Sequence, residues 1–224
     1  MALLFKPQLV IFDFDGTLFD THTSIAHCIS RVFAVLAPES QPSLEDIQAI
    51  ISTGAGLEDT FRILNPSPPQ DLSQWITQYR AIYDKEGLPL ITSFPGAEDI
   101  LRILHQQGIT AVISSNKGLK AIQTVVDQSG LDKFVNFIAA DVPGIKRKPH
   151  VQSYEELIAP RFEGLDPTRV LVVGDTEADI QYARNIGAVA VWAKYGYGKQ
   201  ELVESMGPDF IIDGLKDIAK ILPA

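Results

Sequence analysis

The stretch Leu9-Val10-Ile11-Phe12-Asp13-Phe14-Asp15-Gly16-Thr17-Leu18-Phe19-Asp20 decides how the chain reads. Leu9 to Phe12 is an apolar run that predicts a short buried strand. The run stops at an acid, and a second acid follows two residues on. Residues two apart in extended backbone point to the same side, so Asp13 and Asp15 leave the strand on one face. Gly16 lets the chain turn sharply there. Open parallel α/β sheets bind ligands at the carboxyl ends of their strands. Two carboxylates this close repel unless a cation lies between them or one holds a proton. Over D-x-D alone, a strand end followed by acidic loop residues reads equally well; the longer string is more specific.

Outward from this strand the chain changes character twice. From residue 20 to about 90 the apolar spacing is helical, with no clear strand. Ile25, Ile29, Val32, Phe33 and Leu36 fall on one side of a first helix, and Pro38 and Pro42 open a loop after it. Ser43 with Asp46 three residues on reads as a helix cap. A Gly54-Ala55-Gly56 turn and a Pro66–Pro69 loop separate further helices, and the last is closed by Gly87. From Pro95 onward strands and helices alternate. The strands are expected near 109–114, 135–139, 169–173, 188–192 and 210–212. That alternation predicts βαβ units and a parallel sheet. The expected architecture is an α/β, Rossmann-like three-layer core from residues 1–19 and 92–224. An all-helical domain, residues 20–91, is inserted into it.

Three more predicted strand ends carry polar groups. Ser114-Ser115-Asn116-Lys117 ends one strand in hydroxyls; such residues cap helices, and Ser115 with the next backbone N–H groups can also grip a phosphate. Lys146-Arg147-Lys148-Pro149 is the basic triplet of an acidic chain, either a solvated loop or a charge partner. Gly174-Asp175-Thr176-Glu177-Ala178-Asp179 sets two acids four apart on the first turn of a helix. They either complement its dipole or join Asp13 around a Mg²⁺ ion, which favours oxygen ligands.

Taken together, D-F-D-G-T-L-F-D, the Ser115 strand end, Lys148-Pro149 and G-D-T-E-A-D resemble the four motifs of the haloacid dehalogenase superfamily. The phosphatase branch is the match, because dehalogenases lack the acid that stands here as Asp15. Phe94-Pro95-Gly96-Ala97, Ala193 to Gly198 and Gly207 to Asp213 resemble segments of the phosphoglycolate phosphatase-like subgroup. Ser115 stands where that subgroup usually has Thr, and Val151 where a further Pro is common. The resemblance implies a phosphoric monoester hydrolase. Asp13 would be the nucleophile, and Asp15 the general acid and then base. Ser115, Asn116 and Lys148 would hold the phosphoryl group, with Mg²⁺ on Asp13, Asp15 (through its main-chain carbonyl), Asp175 and Asp179. The helical insert would be a cap, with Thr53, Gly54 and Arg62 as candidate specificity residues. The substrate would be a small phosphate monoester such as 2-phosphoglycolate. A sugar phosphomutase and a non-catalytic binding protein of the same fold are the alternatives.

Composition narrows the classes further. The chain has 224 residues, 46% hydrophobic and 21% charged, with a formal net charge of −9. A strongly acidic chain does not suit phosphate-backbone binding or an anionic membrane, so neither nucleic acid nor membrane is an expected partner. Cys28 is the sole cysteine, which excludes an intrachain disulfide and a thiolate metal cluster. The first seven residues lack a small-residue cleavage site and do not read as a signal peptide. A soluble, cytoplasmic protein, monomeric or homodimeric, is the expectation.

Overall fold

A computed structural model describes residues 3–223. β1 (Leu9–Phe12) leads through the acidic turn to β2 (Phe19–Asp20). Four helices follow: α1 (His22–Leu36), α2 (Leu44–Ile51), α3 (Leu57–Leu64) and α4 (Ser73–Ile82). A π-helical turn, Tyr83–Gly87, continues α4. The chain returns through β3 (Thr92–Ser93) to α5 (Ala97–Gln106), β4 (Thr110–Gly118), α6 (Leu119–Ser129) and β5 (Phe137–Asp141). Then come β6 (Val170–Gly174), α7 (Glu177–Ile186), β7 (Val189–Ala193), α8 (Gln200–Ser205), β8 (Phe210–Ile212) and α9 (Ile218–Ile221).

Six strands form one parallel sheet in the order β5-β4-β1-β6-β7-β8. β1 is central, flanked by β4 on one side and β6 on the other. The chain winds outward in both directions from it, which puts a topological switch at the carboxyl end of β1. The strands are apolar because both faces are covered. Alternate residues feed opposite cores: Val10, Phe12, Ile113, Leu171 and Val173 enter one. Leu9, Ile11, Val112, Val170 and Val172 enter the other, with α7 and Trp192. This is the pleat's period of two expressed as two separate apolar layers. The fold is the expected α/β, Rossmann-like three-layer arrangement.

Residues between β2 and β3 carry a third core. Cys28, Ile29, Val32 and Phe33 of α1 pack with Ile47, Phe61, Trp75 and Tyr79. Trp75 sits edge-on to Phe33 at 4.9 Å and to Phe61 at 5.3 Å, an arrangement aromatic quadrupoles favour. Ser43 caps α2 in a reciprocal box with Asp46, as its spacing predicts. Where this block leaves and rejoins the sheet, β2 and β3 pair antiparallel, Phe19 with Ser93 and Asp20 with Thr92. Two-residue strands leave no periodicity to read, so the sequence does not announce this ribbon. The segment expected as a helix over 151–158 is a π-helical turn at Ser153–Ile158. No helix among the described residues is long and apolar enough to cross a membrane.

Candidate active site

The carboxyl ends of β1, β4 and β6 lie side by side, and the polar residues that follow them meet. Asp13 follows β1 directly; its backbone N–H donates to the Val173 carbonyl at 2.8 Å, extending the β1–β6 ladder into the site. Asp175 follows β6 and is fully buried. Asp179 is on the first turn of α7. One carboxylate oxygen from each of Asp13, Asp175 and Asp179 can be chosen so that all lie within 4.8 Å of one another. Lys148, from the loop after β5, reaches across a sequence gap of 135 residues to donate to Asp13 Oδ1 at 2.9 Å. The same Nζ donates to Asp179 Oδ1 at 2.6 Å. Four of the predicted site residues are thus brought into one buried cluster.

Each acid has further partners that fix its direction. Asp175 accepts from the Thr17 hydroxyl at 3.0 Å and from the Tyr197 backbone N–H at 2.7 Å. Its main-chain carbonyl accepts from the Trp192 indole at 3.1 Å. Gly16 has a φ of +77°, and a Cβ there would collide with the Asp175 carboxylate, so the turn after β1 must be glycine on both counts. Asp179 Oδ2 accepts from the backbone N–H and the hydroxyl of Thr176, at 3.0 and 2.7 Å. Asp179 therefore caps α7 and faces Lys148 at once.

The electrostatics follow from this crowding. Burial raises the Asp13 carboxyl; Lys148 opposes the rise, Asp179 and Asp15 add to it, and the result is about 7. Burial, then Asp179 and Asp13, hold Asp175 well above the usual carboxylate range, against the hydrogen bonds from Tyr197 and Thr17. Burial alone would lower the Lys148 ammonium, but Asp13 and Asp179 outweigh it and hold it above its ordinary value. Three buried acids cluster around one lysine, which contacts two of them. The set is short of positive charge, its donors are carboxylate oxygens, and it fits a hard divalent cation.

The remaining predicted residues separate into two groups. Ser115 is buried within the second half of β4, and its hydroxyl accepts from the Lys117 N–H at 3.3 Å. The Asn116 amide donates to the carbonyls of Gly54 and Lys148, both at 3.2 Å, and accepts from the Lys148 N–H at 2.9 Å. It joins β4, the lysine loop and the helical block. Gly54 lines the central cavity beside Asp13 and Asp15. Thr53 and Arg62 are absent from the lining of that cavity. The Thr53 hydroxyl donates to the Ile50 carbonyl at 2.7 Å, closing α2. Arg62 pairs with Glu58 four residues back at 2.9 Å and donates to the Gln70 carbonyl at 3.2 Å. Its reach is spent within the helical block.

Sequence reading missed two basic residues. Lys117 donates to Asp15 Oδ1 at 2.9 Å, so the second acid of the first motif is in an ion pair rather than in the acidic triad. Burial alone would lower the Lys117 ammonium; Asp15 outweighs it and holds it above its ordinary value. Its Nζ also lies over the Tyr83 ring, 5.0 Å from the centroid. Arg147 bridges Asp141 at 2.9 Å and Asp59 at 3.1 Å, from the sheet to the helical block. Both residues stand inside quoted motifs, but Asp15 and Asp59 lie 102 and 88 positions from them, and spacing carries no signal over that range.

The sequence model for haloacid dehalogenase-like hydrolases matches residues 10–193 of this chain. A protein of Dickeya dadantii named "Probable phosphatase IndB" is 29% identical over 218 residues, 95% of this chain and 92% of its own. The phosphoglycolate phosphatase of Vibrio vulnificus is 28% identical over 226 residues, with 96% of each chain covered. A haloacid dehalogenase-like family hydrolase of Streptococcus pneumoniae superposes with a TM-score of 0.82 at 23% identity, over 96% of this chain and 97% of its own.

Proposed function

The chain belongs to the haloacid dehalogenase-like hydrolase family, as a phosphatase, and from that premise we propose that it hydrolyses a small phosphate monoester through an aspartyl-phosphate on Asp13, with Mg²⁺ as cofactor. The observation that carries the reading is the contact of Lys148 with both Asp13 and Asp179 inside a buried acidic triad. Buried like charges are costly unless they do work, and perturbed carboxyls cluster at functional sites.

In the first half-reaction the Asp13 carboxylate attacks phosphorus, the ester P–O bond breaks, and Asp15 gives its proton to the departing alcohol oxygen. In the second, Asp15 takes a proton from water, the water oxygen attacks the same phosphorus, and inorganic phosphate leaves with Asp13 regenerated. Lys148 stays beside the charge as it moves from Asp13 to the phosphoryl oxygens and back. Ser115 and the Asn116 N–H hold those oxygens. Asp13, Asp175 and Asp179, with the main-chain carbonyl of Asp15, would hold Mg²⁺; when bound, it supplies the positive charge that lets a phosphate dianion approach a carboxylate. Asp15 lies 2.9 Å from Lys117, so its work as an acid requires that pairing to loosen when the leaving oxygen arrives. Residues 20–91 act as a cap that closes this chemistry off from water.

2-Phosphoglycolate, the substrate in the names of several relatives, is the reference ester for a test. A phosphomutase would use the same acids and differ in passing the phosphoryl group to a second hydroxyl. Phosphate release is expected with Mg²⁺, to disappear on chelation and to return on re-addition. Mg²⁺ is also expected to raise the melting temperature of the wild type. Asp13→Asn should fold, by circular dichroism, and lose at least about a thousandfold in turnover. Turnover retained in that variant, or isomer formation without phosphate release, would end the proposal.

A further inference from the structure

The cavity that contains Asp13, Asp15, Ser115 and Lys148 extends well beyond them, to about 380 Å³. That lies within the ~300–1,000 Å³ range of pockets that hold drug-sized ligands. It is far more space than a phosphoryl group with a two-carbon acid fills. The part away from the acids is walled by the helical block: Ile25 and Ile29 of α1, Ile51 of α2, Leu57 of α3, and Ile76 and Tyr79 of α4. Ile25, Ile51, Leu57 and Ile76 are only partly buried; one side of each packs on the block's own core. The cavity is where part of their remaining surface goes.

Charge in the same cavity is almost entirely committed. Of the cations that line it, Lys148 is held by Asp13 and Asp179, Lys117 by Asp15, Arg147 by Asp59 and Asp141, and Lys120 by Asp84. Arg80 is the one without an ion pair among the described residues, and it is exposed. The lining acids outnumber the lining cations. Apart from Arg80, which is exposed and screened by solvent, a carboxylate or second phosphate on the leaving group would meet no free counter-charge along these apolar walls, which is costly.

We infer that the leaving group is apolar and bulky: the substrate is the phosphate monoester of a largely hydrocarbon alcohol, not of a carboxylic acid or a second phosphate. This rests on the phosphatase reading above and names the substrate class of that same site. The phosphoryl end sits at the carboxyl end of β1, and the hydrocarbon body lies along α1, α2 and α4.

A homologous series tests it. Ethyl, butyl and hexyl phosphate have alcohols of similar acidity, so chain length changes burial and little else. With Mg²⁺ present, kcat/KM is expected to rise about three- to fourfold per added methylene, the factor for a fully buried CH₂. Hexyl phosphate should then exceed ethyl phosphate by roughly a hundredfold, and 2-phosphoglycolate should fall below both. Ile76→Gln should flatten the dependence on chain length. Phosphate release that is flat or falling along the series, or highest with 2-phosphoglycolate, overturns the inference while leaving the phosphatase reading intact. No release from any of these esters, nor from p-nitrophenyl phosphate, overturns the phosphatase reading and the inference with it.

Discussion

Lys148 holds two acids that would otherwise face each other across a buried site. Its own side chain is 5% exposed, and those of Asp13 and Asp179 are 11% and 2% exposed. Replacing it by methionine keeps the hydrocarbon stem and deletes the charge. Removing one partner of a buried pair typically costs about 3–5 kcal/mol, because the remaining charge is stranded. Lys148→Met should therefore lower thermal stability by about that much in metal-free buffer, and Mg²⁺ should recover more stability in the variant than in the wild type. Its turnover should fall roughly 10²–10³-fold, the scale for losing one group that steadies transition-state charge. A variant as stable and as active as wild type would remove Lys148 from the mechanism. The sequence singles out this residue because a lysine before proline is a motif. It does not single out Lys117, whose carboxylate partner is legible only in three dimensions. Cys28 is the opposite case: an apolar helical position predicts an inert filler, and burial pushes its thiol up to about 12.

At the scale of elements, what matters is where strands stop. β1 and β6 run in register up to Phe12 and Val173, and the next residues are Asp13 and Gly174-Asp175. That much is written in the apolar runs and their abrupt acidic ends. The extension of β4 to Gly118 is not, because Ser115-Asn116-Lys117 is polar and its bridge to Asp141 crosses a register shift. The point where the chain enters the helical block is similarly hidden. There the Tyr197 hydroxyl accepts from the backbone N–H groups of Thr21 and His22, at 2.6 and 2.9 Å, and donates to Asp20 Oδ1 at 2.9 Å. One phenol, placed by the loop after β7, thus satisfies two N–H donors at the start of α1, where no earlier turn supplies acceptors. The backbone N–H of the same residue holds Asp175, and Tyr197→Phe leaves that contact in place. The variant should lose roughly 1–3 kcal/mol, the cost of leaving partly buried donors unmet. Urea unfolding would measure this, and an unchanged midpoint would mean that water replaces the phenol without cost.

For the whole molecule, the question is how firmly the helical block is seated on the sheet. Its four helices have their own apolar core, and the sheet has two others. The polar ties between them are few. Arg147 reaches Asp59 at 3.1 Å, Lys120 reaches Asp84 at 2.8 Å, and Asn116 reaches the Gly54 carbonyl at 3.2 Å. Asp59, Asp84 and Lys120 are largely exposed, and exposed pairs contribute about 0–1 kcal/mol each. Such ties add little to global stability but set how often the cavity opens. Asp59→Ala tests this, because it cuts the link to Arg147 while Arg147 keeps Asp141 and the block keeps its own core. Its melting temperature should move by no more than about 1 kcal/mol of stability implies. Backbone amides of α2 and α3, by contrast, should exchange with deuterium several-fold faster, and high salt should produce part of the same effect in the wild type by screening the pair. If exchange in α2 and α3 is as slow in the variant as in the wild type, the apolar contacts alone seat the block. Opening would then be governed by the two-stranded ribbon of β2 and β3, the one place where the chain passes between the two parts.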